Sequence, residues 1–238
     1  MLDTDFNDNI EEDRKTTNAL YGGDNENRLK QEILLGIGGV RMLEKLNIHP
    51  TLFHLNEGHA AFLNLERLRR YMLTQQLPLG TAMELVRSSS LFTTHTPVPA
   101  GHDTFSEDLI RRYFSYYSEK CNINWQTFMS FGRKNIDDIY DKFSMSILAC
   151  KLSQEVNGVS AIHGRVSREM FSNLYEGHLT EELHIGHVTN GVHYPTWTHK
   201  KWQQFHHKVF GNKFLLTTLS PTILLTLALT LPDGTSTL

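Results

Sequence analysis

Apolar positions recur along this chain in two rhythms. Over residues 28–46, Leu29, Ile33, Ile37, Val40 and Leu43 fall near a helical period, which predicts a helix interrupted by Gly36, Gly38 and Gly39. Mid-helix glycines cost stability, so their presence predicts close packing against another backbone. Pro50 ends that segment; residues 51–55 read as a strand, residues 60–71 as the next helix and residues 78–87 as another. Residues 91–94 form a short uncharged β-prone run, and residues 107–117, 124–131 and 143–154 show amphipathic helical spacing. Two more strands are predicted at 156–162, before a helix through Phe171, and at 184–189, before a last helix that starts near Pro195. Strands alternating with helices predict an α/β fold, a Rossmann-like parallel sheet with helices on both faces.

Three polar stretches punctuate this pattern where chemistry can gather. Leu20-Tyr21-Gly22-Gly23-Asp24-Asn25 is a Gly-Gly turn followed by two residues suited to a turn or an N-cap. Asn56-Glu57-Gly58-His59 follows the first strand. Thr94-His95-Thr96 follows the second and runs into a loop stiffened by Pro97, Pro99 and Gly101. In open α/β sheets, ligands bind at the carboxyl ends of strands, and a hydroxyl–imidazole–hydroxyl run there offers several donors and acceptors to one polar ligand. A satisfied loop histidine accounts for the same residues equally well.

Composition narrows the classes. A length of 238 residues allows one large domain or part of a bigger one. A net charge of -3 argues against a general nucleic-acid binder. Cys121 and Cys150 make neither a disulfide framework nor a metal-like pair, and the acidic start lacks the basic and apolar regions of a signal peptide, so the cytoplasm is the expected compartment. His184, His187 and His193 are spaced plausibly for a metal, but no cysteine or carboxylate completes the set, so no metal is expected. Residues 1–210 are expected to be one α/β unit. Residues 211–238 are set apart because 214–232 are uncharged and rich in Leu and Thr. Pro221 and the threonines argue against a membrane span there, and an aggregation-prone strand pair is an alternative. The favoured expectation is a stretch that is not native sequence.

Five segments in order resemble the α-glucan phosphorylase family, in the style of its shorter prokaryotic branch. They are Leu20-Tyr21-Gly22-Gly23-Asp24, residues 54–60 around Asn56-Glu57-Gly58-His59, Thr94-His95-Thr96-Pro97, residues 156–163 around Asn157-Gly158, and Thr189-Asn190-Gly191-Val192-His193 with Trp197 behind it. The resemblance implies phosphorolysis of the terminal α-1,4-linked glucose of glycogen, starch or maltodextrin by inorganic phosphate, giving glucose 1-phosphate. It implies the two-domain glycosyltransferase B architecture, with residues 1–210 as the latter part of the N-terminal domain. Pyridoxal phosphate would sit on a lysine of a C-terminal domain outside this chain, the family's glycine-rich helix start would lie upstream of Met1, and the complete enzyme would be a homodimer. No nucleic acid or membrane partner is implied.

Carried over residue by residue, His95 falls on the histidine that contacts the glucose at the cleaved bond. Its imidazole would bond the hydroxymethyl group, and its carbonyl would lie near the developing oxocarbenium charge. Asn190 falls on an asparagine that bonds sugar hydroxyls, and Asp24 and Asn25 on a mobile loop gating the cleft. Glu57 and His59 fall on a polar pair lining that cleft, Thr94 and Thr96 flank the histidine, and Asn157 and His163 fall on neighbouring family positions. With no second domain to face the cleft, the 238 residues alone are expected to be inactive. Two alternatives remain from the residues. One is a nucleotide-sugar-dependent glycosyltransferase of the glycogen synthase type, which would use the same architecture. The other is a non-catalytic carbohydrate-binding remnant using Trp125, Trp197 and Trp202, although helix-core packing is the commoner task for such side chains.

Overall fold

A computed structural model describes residues 2–20, 22–135 and 137–211. Residues 212–238, and with them the expectation of a non-native tail, lie outside the described residues. The chain divides into two units, Met1–Asn190 and Gly191–Leu238.

In the first unit, α1 (Glu11–Arg14) precedes α2 (Asn25–Ile33), which is continued by a π-helical stretch (Leu34–Gly38) and α3 (Gly39–Lys45). Strand β1 (Phe53–Asn56) leads through a 3-10 turn (Gly58–Ala60) into α4 (Phe62–Thr74), then α5 (Leu79–Ser88) and β2 (Ser90–Thr93). A long excursion follows: β3 (Thr104–Phe105), α6 (Glu107–Lys120), α7 (Trp125–Ser130), β4 (Phe143–Ser144) and α8 (Met145–Lys151). The chain returns through β5 (Glu155–Gly158), α9 (Ala161–Phe171) and β6 (Ile185–His187). Among the described residues of the second unit are α10 (Tyr194–Trp197) and α11 (Lys200–Phe210).

β1, β2, β5 and β6 form one parallel sheet in that order, with Leu55 beside Phe92, Phe92 beside Val156 and Val156 beside Ile185. These four side chains are buried, one from each strand. β2 is withdrawn from solvent along nearly its whole length, as a parallel strand covered on both faces should be. The same apolar core continues beneath the excursion. The Phe62 ring centroid lies 4.7 Å from that of Phe114 and 6.4 Å from that of Phe143, all three side chains being essentially solvent-free.

Several predicted boundaries move, each for a local reason. The run 156–162 is not one strand: the Ser160 hydroxyl accepts the His163 N–H at 3.1 Å, which caps α9 and ends extended backbone at Gly158. The predicted helix at 143–154 starts two residues late, because Phe143 and Ser144 pair antiparallel with Phe105 and Thr104. The helix predicted from Arg28 begins at Asn25, capped by Asp24, and its glycine-rich middle winds as a π-helix. At Gly36 a Cβ would stand 2.7 Å from the Leu63 nitrogen and 2.9 Å from the Phe62 carbonyl carbon, so the expected close backbone approach is present there, but not at Gly38 or Gly39, where no neighbouring backbone atom comes within 4 Å. Trp125 packs against the core and stacks on Phe128, whereas Trp197 and Trp202 are exposed rather than buried in a helix core.

Candidate functional site

The carboxyl ends of β1, β2 and β5 carry a connected set of polar groups. Ladder-like bonds run past the strand ends: Glu57 N–H donates to the Thr93 carbonyl at 2.9 Å, Thr94 N–H to the Asn157 carbonyl at 3.0 Å, and Asn190 N–H to the Val159 carbonyl at 3.1 Å. Side chains cross the strands in the same place. His54 Nε2 donates to the Thr93 hydroxyl at 2.7 Å, and that hydroxyl donates to Asn157 Oδ1 at 2.8 Å. His163 is buried, and its Nδ1 accepts the Val159 N–H at 3.1 Å.

His95 is exposed, with its ring turned to the β1 end. Its Nε2 lies 2.6 Å from Asn56 Oδ1 and donates to it, which leaves Nδ1 as an acceptor. Its main-chain N–H donates to Glu57 Oε2 at 2.6 Å. Thr94 and Thr96 also donate to the Glu57 carboxylate, at 3.3 and 3.2 Å, so neither hydroxyl is simply held out to a ligand. Thr94 is fully buried, whereas Asn190 is exposed.

Glu57 and His59 contact different partners. Glu57 faces the Thr94–Thr96 segment, while His59, on the 3-10 turn, faces α2 and the far end of the same loop. There Arg28 Nη2 lies 2.9 Å from Asp103 Oδ2 and 2.6 Å from His59 Nδ1, and His59 Nδ1 lies 3.1 Å from Asp103 Oδ2. Arg28 Nε is 3.1 Å from Glu32 Oε1, and neither oxygen of this buried carboxylate is engaged in a well-directed hydrogen bond. Burial pushes Glu32 up to about 7. The hydrogen bond to Asp103, and then the Glu32 carboxylate 3.7 Å away, raise His59 to about 9. Burial works to raise Asp103, but His59 and Arg28 outweigh it and hold the carboxyl well below the usual range.

Arg28, Glu32 and Asp103 were not singled out from sequence. Arg28 and Asp103 are 75 positions apart, and no local pattern marks them. The i, i+4 spacing of Arg28 and Glu32 was the one available signal. Glu32, His59 and Asp103 place their ligand atoms within 4.8 Å of one another, a spacing a metal ion could use, but the Arg28 guanidinium already supplies a positive charge among them. His184 and His187 are exposed at the ends of β6.

Gly22, Gly23, Asp24, Asn25, Arg28, His59, Gly101 and Asp103 line a pocket of about 350 Å³. Asp24, expected in a gating loop, accepts the Asn27 N–H at 2.9 Å as the N-cap of α2, and Asn25 is the first helical residue. Asp24→Ala should therefore lower unfolding free energy by about 1 kcal/mol, read by urea denaturation. A change below about 0.3 kcal/mol would mean that the cap carries little of the helix start.

A profile of the family described as carbohydrate phosphorylase matches residues 31–217. The chain is 44% identical over 224 residues to the glycogen phosphorylase of Mycobacterium tuberculosis, a match covering 90% of this chain and 26% of that protein. It is 39% identical over 211 residues to the maltodextrin phosphorylase of Thermococcus litoralis, with 89% and 24% covered. It is 34% identical over 215 residues to the glycogen phosphorylase of Aquifex aeolicus, with 90% and 30% covered. The chain thus spans about a quarter of the length of the first of these curated relatives. With the profile matching most of its length and a parallel sheet whose strand ends collect the motif residues, the chain belongs to the carbohydrate phosphorylase family.

Proposed function

We propose that the strand-end surface around His95 is the glucan-binding part of an α-glucan phosphorylase, which cleaves a terminal α-1,4-linked glucose with inorganic phosphate to give glucose 1-phosphate. The observation that carries this reading is the exposed His95, held by ring and main chain at the carboxyl end of β2 in a chain of this family. With Nε2 engaged by Asn56, Nδ1 accepts a hydroxyl of the terminal sugar. The His95 carbonyl faces the positive charge that develops as the glycosidic bond breaks, and Asn190 offers its amide to sugar hydroxyls. Asp24, Asn25 and the pocket beside His59 border the bound sugar, where a closed arrangement of neighbouring segments excludes water and favours phosphate as the acceptor.

Pyridoxal phosphate, implied for the complete enzyme, would supply acid–base chemistry through its own phosphate. The residues described here do not fit a covalent site for it. Lys151 is the most withdrawn lysine in the first unit, yet its ammonium donates to the carbonyls of Ser130 and Arg133, both at 2.7 Å.

The family match favours phosphate over a nucleotide sugar as the co-substrate, and the glycosyltransferase B arrangement follows from the same reading. Two buried free thiols, Cys121 and Cys150, suit a reducing cytoplasm, and no helix among the described residues is long and apolar enough to cross a membrane.

Titrating the isotope-labelled chain with maltoheptaose should shift the amides of residues 94–96 and 190 while leaving the outer face of α6 unmoved. Saturating maltoheptaose without a shift at those positions would overturn the reading. The same 238 residues incubated with maltodextrin and phosphate should release no glucose 1-phosphate, and measurable release would contradict the view that further catalytic groups are needed.

A further inference from the structure

We propose that Glu57 is a positioning residue: its carboxylate holds the main chain of His95 and thereby aims the His95 carbonyl at the reacting sugar. This rests on the glucan-site reading above but changes the task of Glu57, which acts through His95 and not by touching the sugar.

The backbone gives the first reason. Glu57 has φ 68° and ψ 171°, a region that glycine visits freely and other residues rarely adopt. A glycine at this position would relieve the strain, yet a long acidic side chain stands there. The strain turns the chain sharply as it leaves β1 and aims the carboxylate across to the end of β2. Gly58 keeps the turn tight: a Cβ there would meet Ser146 Oγ at 3.0 Å and Ser146 N at 3.2 Å.

The carboxylate gives the second reason. Glu57 is 8% exposed, and three donors from one short segment converge on it. Oε2 accepts the His95 N–H at 2.6 Å and the Thr96 hydroxyl at 3.2 Å, and Oε1 accepts the Thr94 hydroxyl at 3.3 Å. The His95 carbonyl lies along the chain between two of these anchors, the His95 nitrogen and the Thr96 side chain. Fixing both restricts the direction in which that carbonyl points. The bond from N–H to a charged acceptor is of the strong kind.

The third reason is that the same turn reaches both ends of the loop. Asn56 holds the His95 ring, Glu57 holds the His95 main chain, and His59 meets Asp103 eight residues further on. The turn after β1 therefore determines where the loop starts and where it stops. Of these contacts, only that of Glu57 acts on the peptide flanking the carbonyl.

The test compares Glu57→Gln and Glu57→Gly with the parent in the full 238-residue chain, by amide NMR and hydrogen exchange without ligand. In Glu57→Gln the His95 amide should lose its downfield position, and its protection should fall about tenfold, while Phe92 and Val156 keep theirs. Glu57→Gly should show the same loss at His95 with a melting temperature at or above that of Glu57→Gln, because the strain is removed along with the clamp. An unchanged His95 amide in Glu57→Gln would overturn the proposal. Equal loss of protection at Phe92 and Val156 would also overturn it, since Glu57 would then support the sheet at large. Titration of the parent with maltoheptaose reports the underlying site reading separately. If no shift appears, that reading falls while the link between Glu57 and His95 stands or fails on its own data.

Discussion

Gly36→Ala is expected to lower the unfolding free energy by about 3 kcal/mol, a large share of the total for a domain of this size. The added Cβ would stand 2.7 Å from the Leu63 nitrogen and 2.9 Å from both the carbonyl carbon and Cβ of Phe62. Two of those atoms are backbone, so no rotamer change relieves the overlap and one helix must move. Phe62 begins α4 and packs its ring on Phe114 with no solvent exposure, so displacing it opens the aromatic group beneath the excursion. The same shift would displace α2, which carries Arg28 and Glu32 to His59 and Asp103. Gly39 supplies the control, because nothing lies within 4 Å of its hypothetical Cβ. Gly39→Ala should be neutral or stabilising by up to about 1 kcal/mol through helix propensity. Urea denaturation of both variants checks the pair. Equal stability for Gly36→Ala and the parent would mean that the helices do not approach as described.

The second large effect is on pH. His59 is raised from 6.5 to about 9, so its contribution to stability is complete below pH 6.5 and is lost as pH rises through 9. Glu32 is raised from 4.5 to about 7, so its contribution is complete below pH 4.5 and is lost as pH rises through 7, when a buried carboxylate must ionise. Both changes act in the same direction. The two groups share Asp103 and Arg28, so their contributions do not simply add, and a combined loss of about 3 kcal/mol between pH 5 and pH 9.5 is expected. On the acid side the sign reverses. Asp103 and Glu66, the latter lowered to about 2 by Arg69, Arg41 and Tyr117 against the cost of burial, lose their contributions as pH falls below 4. Unfolding free energies measured at pH 5, 7 and 9.5 test this. Glu32→Gln should flatten the lower part of the alkaline decline, and a parent profile level from pH 5 to 9.5 would refute the assigned charge states.

Much of this site was legible because its chemistry is local. Asn56-Glu57-Gly58-His59 and Thr94-His95-Thr96 each follow a β-prone run directly, so placing the strands placed these residues at carboxyl ends. Asp24 reads as an N-cap because a short acidic side chain before a helical period can accept the N–H three residues on, and Asn27 N–H is that donor. Gly36, Gly38 and Gly39 all read as contact points because their cost must be offset by packing, and only Gly36 is one: a Cβ at Gly38 would meet side chains at ordinary distances, and at Gly39 nothing within 4 Å. The order β1-β2-β5-β6 follows the order along the chain, the simplest outcome for alternating strands and helices.

What the amino-acid order could not express were relations between distant residues and competition between local preferences. Ser160 and the β-prone run around it favour different structures, and the hydroxyl bond to His163 decides the boundary. Phe143 has helical spacing, but pairing with Phe105 draws it into a strand. Glu57 and His59, two positions apart and alike in polarity, face different partners, because one follows a left-handed backbone conformation and the other lies on the helical turn behind it. Arg28 and Asp103, 75 positions apart, meet only in the folded chain. Hydrophobic period, capping and turn chemistry act within a few residues and so are written in the sequence. The partner of a buried charge is set by which segments the core brings together, and that exists only in the folded chain.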